Sequence, residues 1–427
     1  MRPHAAGVDV GSEKFFASVA GEEPKVFLTV TEHMLGLCDY FKEKGVTSVA
    51  MEATGVYWIN LFTALEERGF EVVVVNGAQC RNLPGRKTDM KDCQWLAVLH
   101  AHGLLTSGFV PAADIRRLRD YMRVRADLVS MGSQHIQHMQ KALDRLNVKV
   151  HVVLSDITGA SGMRIIEAIL AGERSPHALL RLCDQQIIKT KKNRMLEALR
   201  GLWKEEHLLA LQLAYNSYKH YQEQIGACDQ QIAKLVKEMS SGKPIPELGK
   251  AKELRNNAIR LEDLRTQMAQ IFGKDLTKLP CINESTAALL LAEIGNDMTR
   301  WKTWRHFGSW LALAPSTAQS GKMRRRQKRH LTPAGAILCR AVQCMGGGKH
   351  SWLASFYKRL RAKRGPKVAI KATAYKVAKL IYLVLTQGWE YVEEGIKKYE
   401  QRVRETQVKA LKRLAKRLNY EIIEKIA

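Results

Sequence analysis

Four carboxylates near the N-terminal end occupy positions where an acid is costly unless it works with others. Asp9 lies at the end of the apolar run Ala6–Val10, and Glu52 closes the run Thr47–Glu52. A carboxylate ending a strand of a buried sheet is expensive to keep without a partner. Asp89 and Asp92 follow in Lys87-Thr88-Asp89-Met90-Lys91-Asp92, which opens a helical pattern over Cys93–His102. A spacing of three puts both on one helix face. Taken singly, each acid fits a cap or a solvated residue, and the aspartate pair would favour a helix N-terminus. If the four converge, they repel unless cations neutralise them. Hard divalent ions such as Mg²⁺ take oxygen ligands of this kind. Two such ions about 4 Å apart clamp the attacking and leaving oxygens of a phosphodiester.

A second cluster lies far downstream. Ala314-Pro315-Ser316-Thr317-Ala318-Gln319-Ser320-Gly321-Lys322 runs into Arg324, Arg325, Arg326, Lys328 and Arg329. A serine hydroxyl is a weak nucleophile until activated. Neighbouring cations can hold a phosphate and stabilise the charge that develops on it. On residue types alone, a Ser-Gly turn beside a solvated arginine run is the plainer reading. Ser316 is the weaker nucleophile candidate because no Gly follows it.

The elements that must position these groups follow from patterning. Ala6–Val10, Lys14–Ala20 and Pro24–Val30 read as a three-strand meander. Glu32–Lys44 reads as a helix, Thr47–Glu52 as a buried strand, Val56–Arg68 as an amphipathic helix and Phe70–Val75 as a β-branched strand. A meander followed by strand–helix–strand units predicts a mixed sheet flanked by helices, in which the ends of the strands carrying Asp9 and Glu52 can be neighbours. A basic helix is expected from Asp114 to about Val150, with Arg116, Arg117, Arg119, Arg123 and Arg125. Leu211, Ala214, Tyr218, Tyr221, Ile225, Cys228, Ile232, Leu235 and Met239 alternate steps of three and four, an a/d seam of about four heptads. After a break over Ser240–Lys250, Leu254, Asn257, Leu261, Leu264, Met268 and Ile271 resume it, predicting an antiparallel helical hairpin suited to dimerisation. Beyond Thr277 come short helices, a basic run and a helical tail.

Lys and Arg total 68 against 42 Asp and Glu, a formal charge of +26. That excess calls for a polyanionic partner, and nucleic acid is the expected one. No stretch approaches the roughly 20 apolar residues of a membrane span, and no leader pattern is present, so no membrane partner and a cytoplasmic, nucleoid-associated location are expected. The eight cysteines contain no CxxC pair and read as buried small hydrophobes. Trp301, Trp304 and Trp310 read as core anchors, and His100 and His102 as polar surface. His135 and His138, without an acid or Cys partner, do not make a metal site. The cations Lys358, Arg359, Arg361, Lys363, Arg364 and Lys367 read as sequence-independent backbone contacts for nucleic acid.

Gly7-Val8-Asp9-Val10, Met51-Glu52-Ala53-Thr54-Gly55 and Lys87-Thr88-Asp89-Met90-Lys91-Asp92 together resemble the DEDD transposases of the insertion-sequence-110 family. The resemblance implies a ribonuclease-H-like N-terminal domain in which Asp9, Glu52, Asp89 and Asp92 bind Mg²⁺; the family often has Ala where this chain has Cys93. Ser320 matches the nucleophilic serine of the family's C-terminal domain, implying a covalent phosphoseryl intermediate with DNA, assisted by the acids of another subunit. Leu279–Gly295 resembles the family's helix-hairpin-helix-like element, with Cys281 and Asn283 where Gly is frequent, and Lys371–Gly388 fits its closing helix.

The expected organisation is therefore an α/β ribonuclease-H-like catalytic domain over 1–150 and a helical linker with coiled-coil hairpin over 151–274. A mainly α transposase domain follows over 275–390, then a basic tail over 391–427. Donor and target DNA, a structured guide (bridge) RNA and a homo-oligomer between dimer and tetramer are the expected partners. Lys322, Arg324, Arg325, Arg326, Lys328, Arg329, Arg116 and Arg117 are the expected nucleic-acid contacts. The competing readings are a junction endonuclease using water as nucleophile and a non-catalytic nucleic-acid-binding protein.

Overall fold

A computed structural model describes residues 4–76, 89–254, 257–315, 317–320, 323–326, 330–345 and 352–420. The chain divides into two compact units, Met1–Val110 and Pro111–Ala427. The helix expected to close the first domain near residue 150 therefore belongs to the second unit.

The first unit is built on a five-stranded mixed sheet of order β3-β2-β1-β4-β5. Its strands are β1 (Ala5–Val10), β2 (Lys14–Val19), β3 (Lys25–Leu28), β4 (Ser48–Glu52) and β5 (Glu71–Val75). The meander β1–β3 is antiparallel, while β4 and β5 lie parallel to β1. Strand alternation sends Ala6, Val8, Val10, Val49 and Met51 to one face, where α1 (Thr31–Glu43) and α2 (Trp58–Glu67) cover them with Leu37, Phe41, Leu61 and Leu65. Each of these buried side chains larger than alanine contributes about 1.5–3 kcal/mol. The opposite face, with Ala50, Val73 and Val75, is covered by Leu96 of α3 (Asp89–Ala101). This mixed sheet with helices on both faces is consistent with a ribonuclease-H-like domain.

The second unit is mostly helical. Its frame is a pair of long helices, α4 (Ala113–Arg145) and α8 (Glu205–Ser240), of 33 and 36 residues. Tyr121 meets Cys228, Gly132 meets Tyr221, and Ala142 shares a core with Leu211 and Ala214, so the pair is antiparallel. Between them in sequence, α5 (Ala160–Leu170), α6 (Pro176–Arg181) and α7 (Gln185–Ala198) fold onto one end and bury Ile165, Ile166, Leu179 and Met195.

The expected hairpin is thus built differently. The seam on α8 is real, but its main partner is α4. Among the described residues the second arm is helical only over α9 (Leu264–Phe272). Asn257 and Asp263 have φ of 64° and 54°, and left-handed residues cannot continue a right-handed helix. Asn257 marks no seam position; its carbonyl and that of Ala258 accept from Arg125, whose Nε also donates to Asp229 Oδ1 at 2.6 Å. Arg125 is 7% exposed and fastens α4, α8 and the 257–258 segment together.

The remaining helices are α10 (Glu284–Ile294), α11 (Trp304–Trp310), α12 (Pro333–Met345), α13 (Trp352–Arg364), α14 (Pro366–Gln387) and α15 (Trp389–Arg417), with the hairpin β6 (Thr317–Ser320) and β7 (Met323–Arg326) between α11 and α12. Trp301 is buried against Phe307 and Trp310, and its carbonyl accepts from Tyr382 of α14 at 2.8 Å. Trp304 and Trp310 are half-buried. Cys38, Cys93 and Cys183 are buried as expected, whereas Cys344 is exposed and Cys80 lies outside the described residues. No helix among the described residues is long and apolar enough to cross a membrane.

The clasp around Arg125 is testable. Arg125→Met leaves Asp229 without its cation in a largely dry site and lowers stability by about 3–5 kcal/mol, whereas Arg125→Met/Asp229→Leu recovers most of the loss. Urea unfolding compares the two, and a single variant as stable as the wild type removes the clasp.

Candidate active site

Strand register decides where the acids stand. β1 and β4 are paired through Val8↔Met51, so Asp9 and Glu52 are one step further on, at the same end of neighbouring parallel strands. Glu52 is itself paired with Val75. By alternation both acids belong to the face that α3 covers. Asp9, Glu52 and Asp92 are all half-buried.

Helix α3 reaches that end of the sheet because β1 has no side chain in its path. An ideal Cβ on Gly7 would stand 2.3 Å from the Ala97 amide nitrogen and 2.5 Å from the Cys93 carbonyl oxygen. Backbone lies on backbone, as a Gly inside a strand can signal. The small Cys93 at this crossing is fully buried, and its Sγ donates to the Met90 carbonyl at 3.1 Å. Burial pushes the Cys93 thiol up to about 12, with the nearby charges of Asp9 and Asp92 adding to the shift. At the far end of α3, His100 is 2% exposed and its Nε2 lies 2.7 Å from Ser48 Oγ at the start of β4. His100 is therefore a buried anchor, not the polar surface residue expected. Its bond to the first residue of β4 and the Gly7 crossing make α3 antiparallel to β1 and β4. The first turn of α3, which contains the backbone of Asp89 and Asp92, therefore lies toward the end of the sheet where β1 and β4 finish.

The donor set is all carboxylate oxygen, which suits a hard divalent ion in kind. Among the described residues, no three His, Cys, Asp or Glu side chains form a group that could hold a metal ion. The Asp89 side chain lies outside the described residues, although its backbone begins α3. The Glu-Ala-Thr-Gly stretch continues from β4 into a turn in which Gly55 has φ 54°, a left-handed position that favours Gly.

In the second unit, Ser320 ends β6 and is paired with Met323; Arg324, Arg325 and Arg326 follow on β7 opposite Gln319, Ala318 and Thr317. The side chains of Ser320 and of these arginines, and the whole of Ser316, Gly321, Lys322, Lys328 and Arg329, lie outside the described residues. The arginines of α4 divide. Arg117 is exposed, whereas Arg116 donates to the Pro111 carbonyl at 2.9 Å. Arg119 donates to the Ala292 and Glu293 carbonyls, and Arg123 pairs with the Glu293 carboxylate, closing the C-terminal end of α10.

The turn before α10 explains two residues that stand where glycine is frequent. Asn283 has an extended backbone, φ −111°, and its Oδ1 accepts from Thr286 N at 2.8 Å as the helix cap. Cys281 is half-buried, and desolvation pushes its thiol up to about 12. Lys252, which the sequence did not single out, donates to the carbonyls of Leu279 and Ile282 and fixes this turn from behind.

Two family models match the chain. One, for DEDD transposases of the IS110 type, covers residues 6–148; the other, Transposase IS116/IS110/IS902 family, covers residues 273–358. Together they span more than half of the sequence. The chain belongs to the IS110 family of transposases. It is a DNA transposase/recombinase of an insertion sequence, and DNA is its substrate. No curated protein matches it.

Two consequences follow for this transposase. Gly7→Ala forces α3 off the sheet and lowers stability by about 1–3 kcal/mol, with loss of activity. Gly36→Ala, in α1 with open space around it, is neutral or stabilising by up to about 1 kcal/mol. Equal melting points for both variants would contradict the crossing. Burial pulls Lys252 down to about 8 from the ordinary 10.5, so between those values the unfolded chain binds more protons than the folded one. Stability relative to Lys252→Met then rises with pH across that window. Melting curves from pH 7 to 10 check the sign.

Proposed function

We propose that this IS110 transposase cuts and rejoins DNA through a serine nucleophile, with the four acids of a ribonuclease-H-like first unit serving the same reaction. The observation that supports the reading is the register of β1 and β4, which leaves Asp9 and Glu52 at the same end of neighbouring parallel strands. Four acids at one sheet end suit a shared divalent cation better than four isolated roles.

Asp9, Glu52, Asp89 and Asp92 would hold Mg²⁺, which when bound supplies charge neutralisation at the phosphate oxygens. Ser320 Oγ forms the new bond to phosphorus; the bond to the leaving nucleoside oxygen breaks, and that oxygen takes up a proton. The phosphoseryl ester keeps the phosphodiester's energy, so a second strand's hydroxyl can attack it and release the serine. Arg324, Arg325, Arg326, Lys322, Lys328 and Arg329 would attract the negative phosphate, and Gly321 next to the nucleophile suits close approach of the backbone. A structured bridge RNA would choose donor and target by pairing. A chain with +26 net charge and no recognisable sequence-reading module fits recognition of RNA by shape and phosphate. Dimers assembling into a tetramer would bring the parts together.

Incubation with a nicked suicide DNA substrate and Mg²⁺ tests this. A covalent protein–DNA adduct forms with the wild type and is lost in Ser320→Ala. Asp9→Asn and Glu52→Gln each lower its rate by at least about 100-fold, the upper end of what losing a ligand's supporting partner costs. Full cleavage by Ser320→Ala would instead assign a water nucleophile and a junction endonuclease. Sequencing RNA that copurifies with the protein tests the guide.

A further inference from the structure

The helices at and beyond the end of the second family match enclose a feature that transposition chemistry does not explain. Lys376 of α14 has its Nζ 3.6 Å from the ring centre of Tyr399 on α15, 4.4 Å from Phe356 and 4.8 Å from Trp352, both on α13. Burial and the charges of Arg359 and Lys379 pull this ammonium down to about 8, while three ring faces favour its charged form. Arg359 donates to the Tyr399 hydroxyl at 3.0 Å. The root of α15 is thereby fixed to α13 and α14, while the two outer helices part into a groove of about 780 Å³.

That groove has an unusual lining. Trp352, Phe356 and Tyr399 are half-buried aromatics along it, Arg359 and Arg404 are exposed beside them, and Val403 supplies apolar floor. Lys376 is not part of the lining, so its charge polarises the rings without occupying the groove. Glu400 is the acid at its edge. The flanks are strongly cationic. Lys358, Arg361, Lys363 and Arg364 are exposed on α13, and Arg402, Lys409, Lys412, Arg413, Lys416 and Arg417 continue along α15 with Glu405 as the opposing acid. Flat aromatic faces between arginines, inside a cationic rim, are the combination that seats bases by stacking and backbone by charge.

We propose that the groove between α13 and α15 binds an unpaired stretch of DNA, its bases stacked on Trp352 and Tyr399 and its phosphates drawn to Arg359, Arg404 and the cationic side of α15. A duplex keeps its bases stacked on one another and gains little there, so the site favours strands that have come apart. The assignment is independent of which group performs strand cleavage.

Fluorescence anisotropy with the full chain tests it, using a labelled oligothymidylate of about 12 nucleotides, an abasic strand of equal length and a matched duplex. Trp352→Ala and Tyr399→Ala each weaken oligothymidylate binding about tenfold and leave abasic and duplex binding unchanged, whereas Tyr399→Phe stays within about twofold of the wild type. Arg404→Glu, at an exposed position that the fold does not need, weakens both single strands and flattens their salt dependence. Thermal melting identifies any variant that has merely unfolded, and Arg404→Glu then carries the test alone. The proposal is overturned if the stacking variants bind oligothymidylate as the wild type does or lose abasic binding equally. It is also overturned if the substitutions change the oligomer mass and not DNA affinity.

Discussion

Helix α3 rests on strand β1 with no side chain between them at Gly7, and this contact sets the geometry of the acidic end of the sheet. The contact tolerates nothing larger than hydrogen on the strand side, and on the helix side it uses Cys93 and Ala97. With the helix axis held there, and its far end tied by His100 to Ser48, the first turn of α3 has one place to be. The backbones of Asp9 and Glu52 are set by the hydrogen-bond register of β1 and β4, so their separation follows the spacing of neighbouring parallel strands. The acids thus depend on a strand ladder and a backbone-to-backbone crossing, with the His100–Ser48 contact as the side-chain tie at the far end.

The second unit shows that the large positive charge serves two separate purposes. Arg119, Arg125 and Lys252 are turned inward, onto backbone carbonyls and onto Glu293 and Asp229. Their charge is spent on the fold and is not offered to a polyanion. Those on α13 and on the outer half of α15 face solvent and remain available. A formal charge counted from composition therefore overstates the field a nucleic acid meets, and the exposed subset is the better guide.

Much of this was legible in the sequence. Apolar runs ending in Asp9 and Glu52 announced strands whose ends carry acids, and the order of strands and helices implied that those ends could be neighbours. The seam on α8 was equally plain. What periodicity does not encode is the partner that covers an apolar face: α4 carries too many arginines to look like the other half of a helical pair, because three of them find acceptors only in the folded chain. The resumed spacing after residue 250 misled for the opposite reason. Apolar residues at helical intervals line a segment whose backbone turns left-handed at Asn257 and Asp263, a choice fixed by Arg125 and the local turns rather than by hydropathy. His100 was misread because a histidine near a helix end says nothing about the hydroxyl waiting on a distant strand. Gly7 is the one case where the signal was present, a glycine amid apolar strand residues, and needed only the question of what crosses it.

The long antiparallel pair also constrains how such a chain can change length. α4 extends about 50 Å and is held at one end by α10, in its first half by Asp229 and at the other end by a separate apolar core. One residue inserted between Arg125 and Met139 would turn everything beyond it by about 100° and strip Met139, Ala142 and Leu143 from their neighbours. Descendants of this sequence can lengthen the pair only in blocks close to whole numbers of turns, and only if α8 gains a matching block. Insertions and deletions that survive should therefore gather in the connections, while the two rods keep a common length as their surfaces drift.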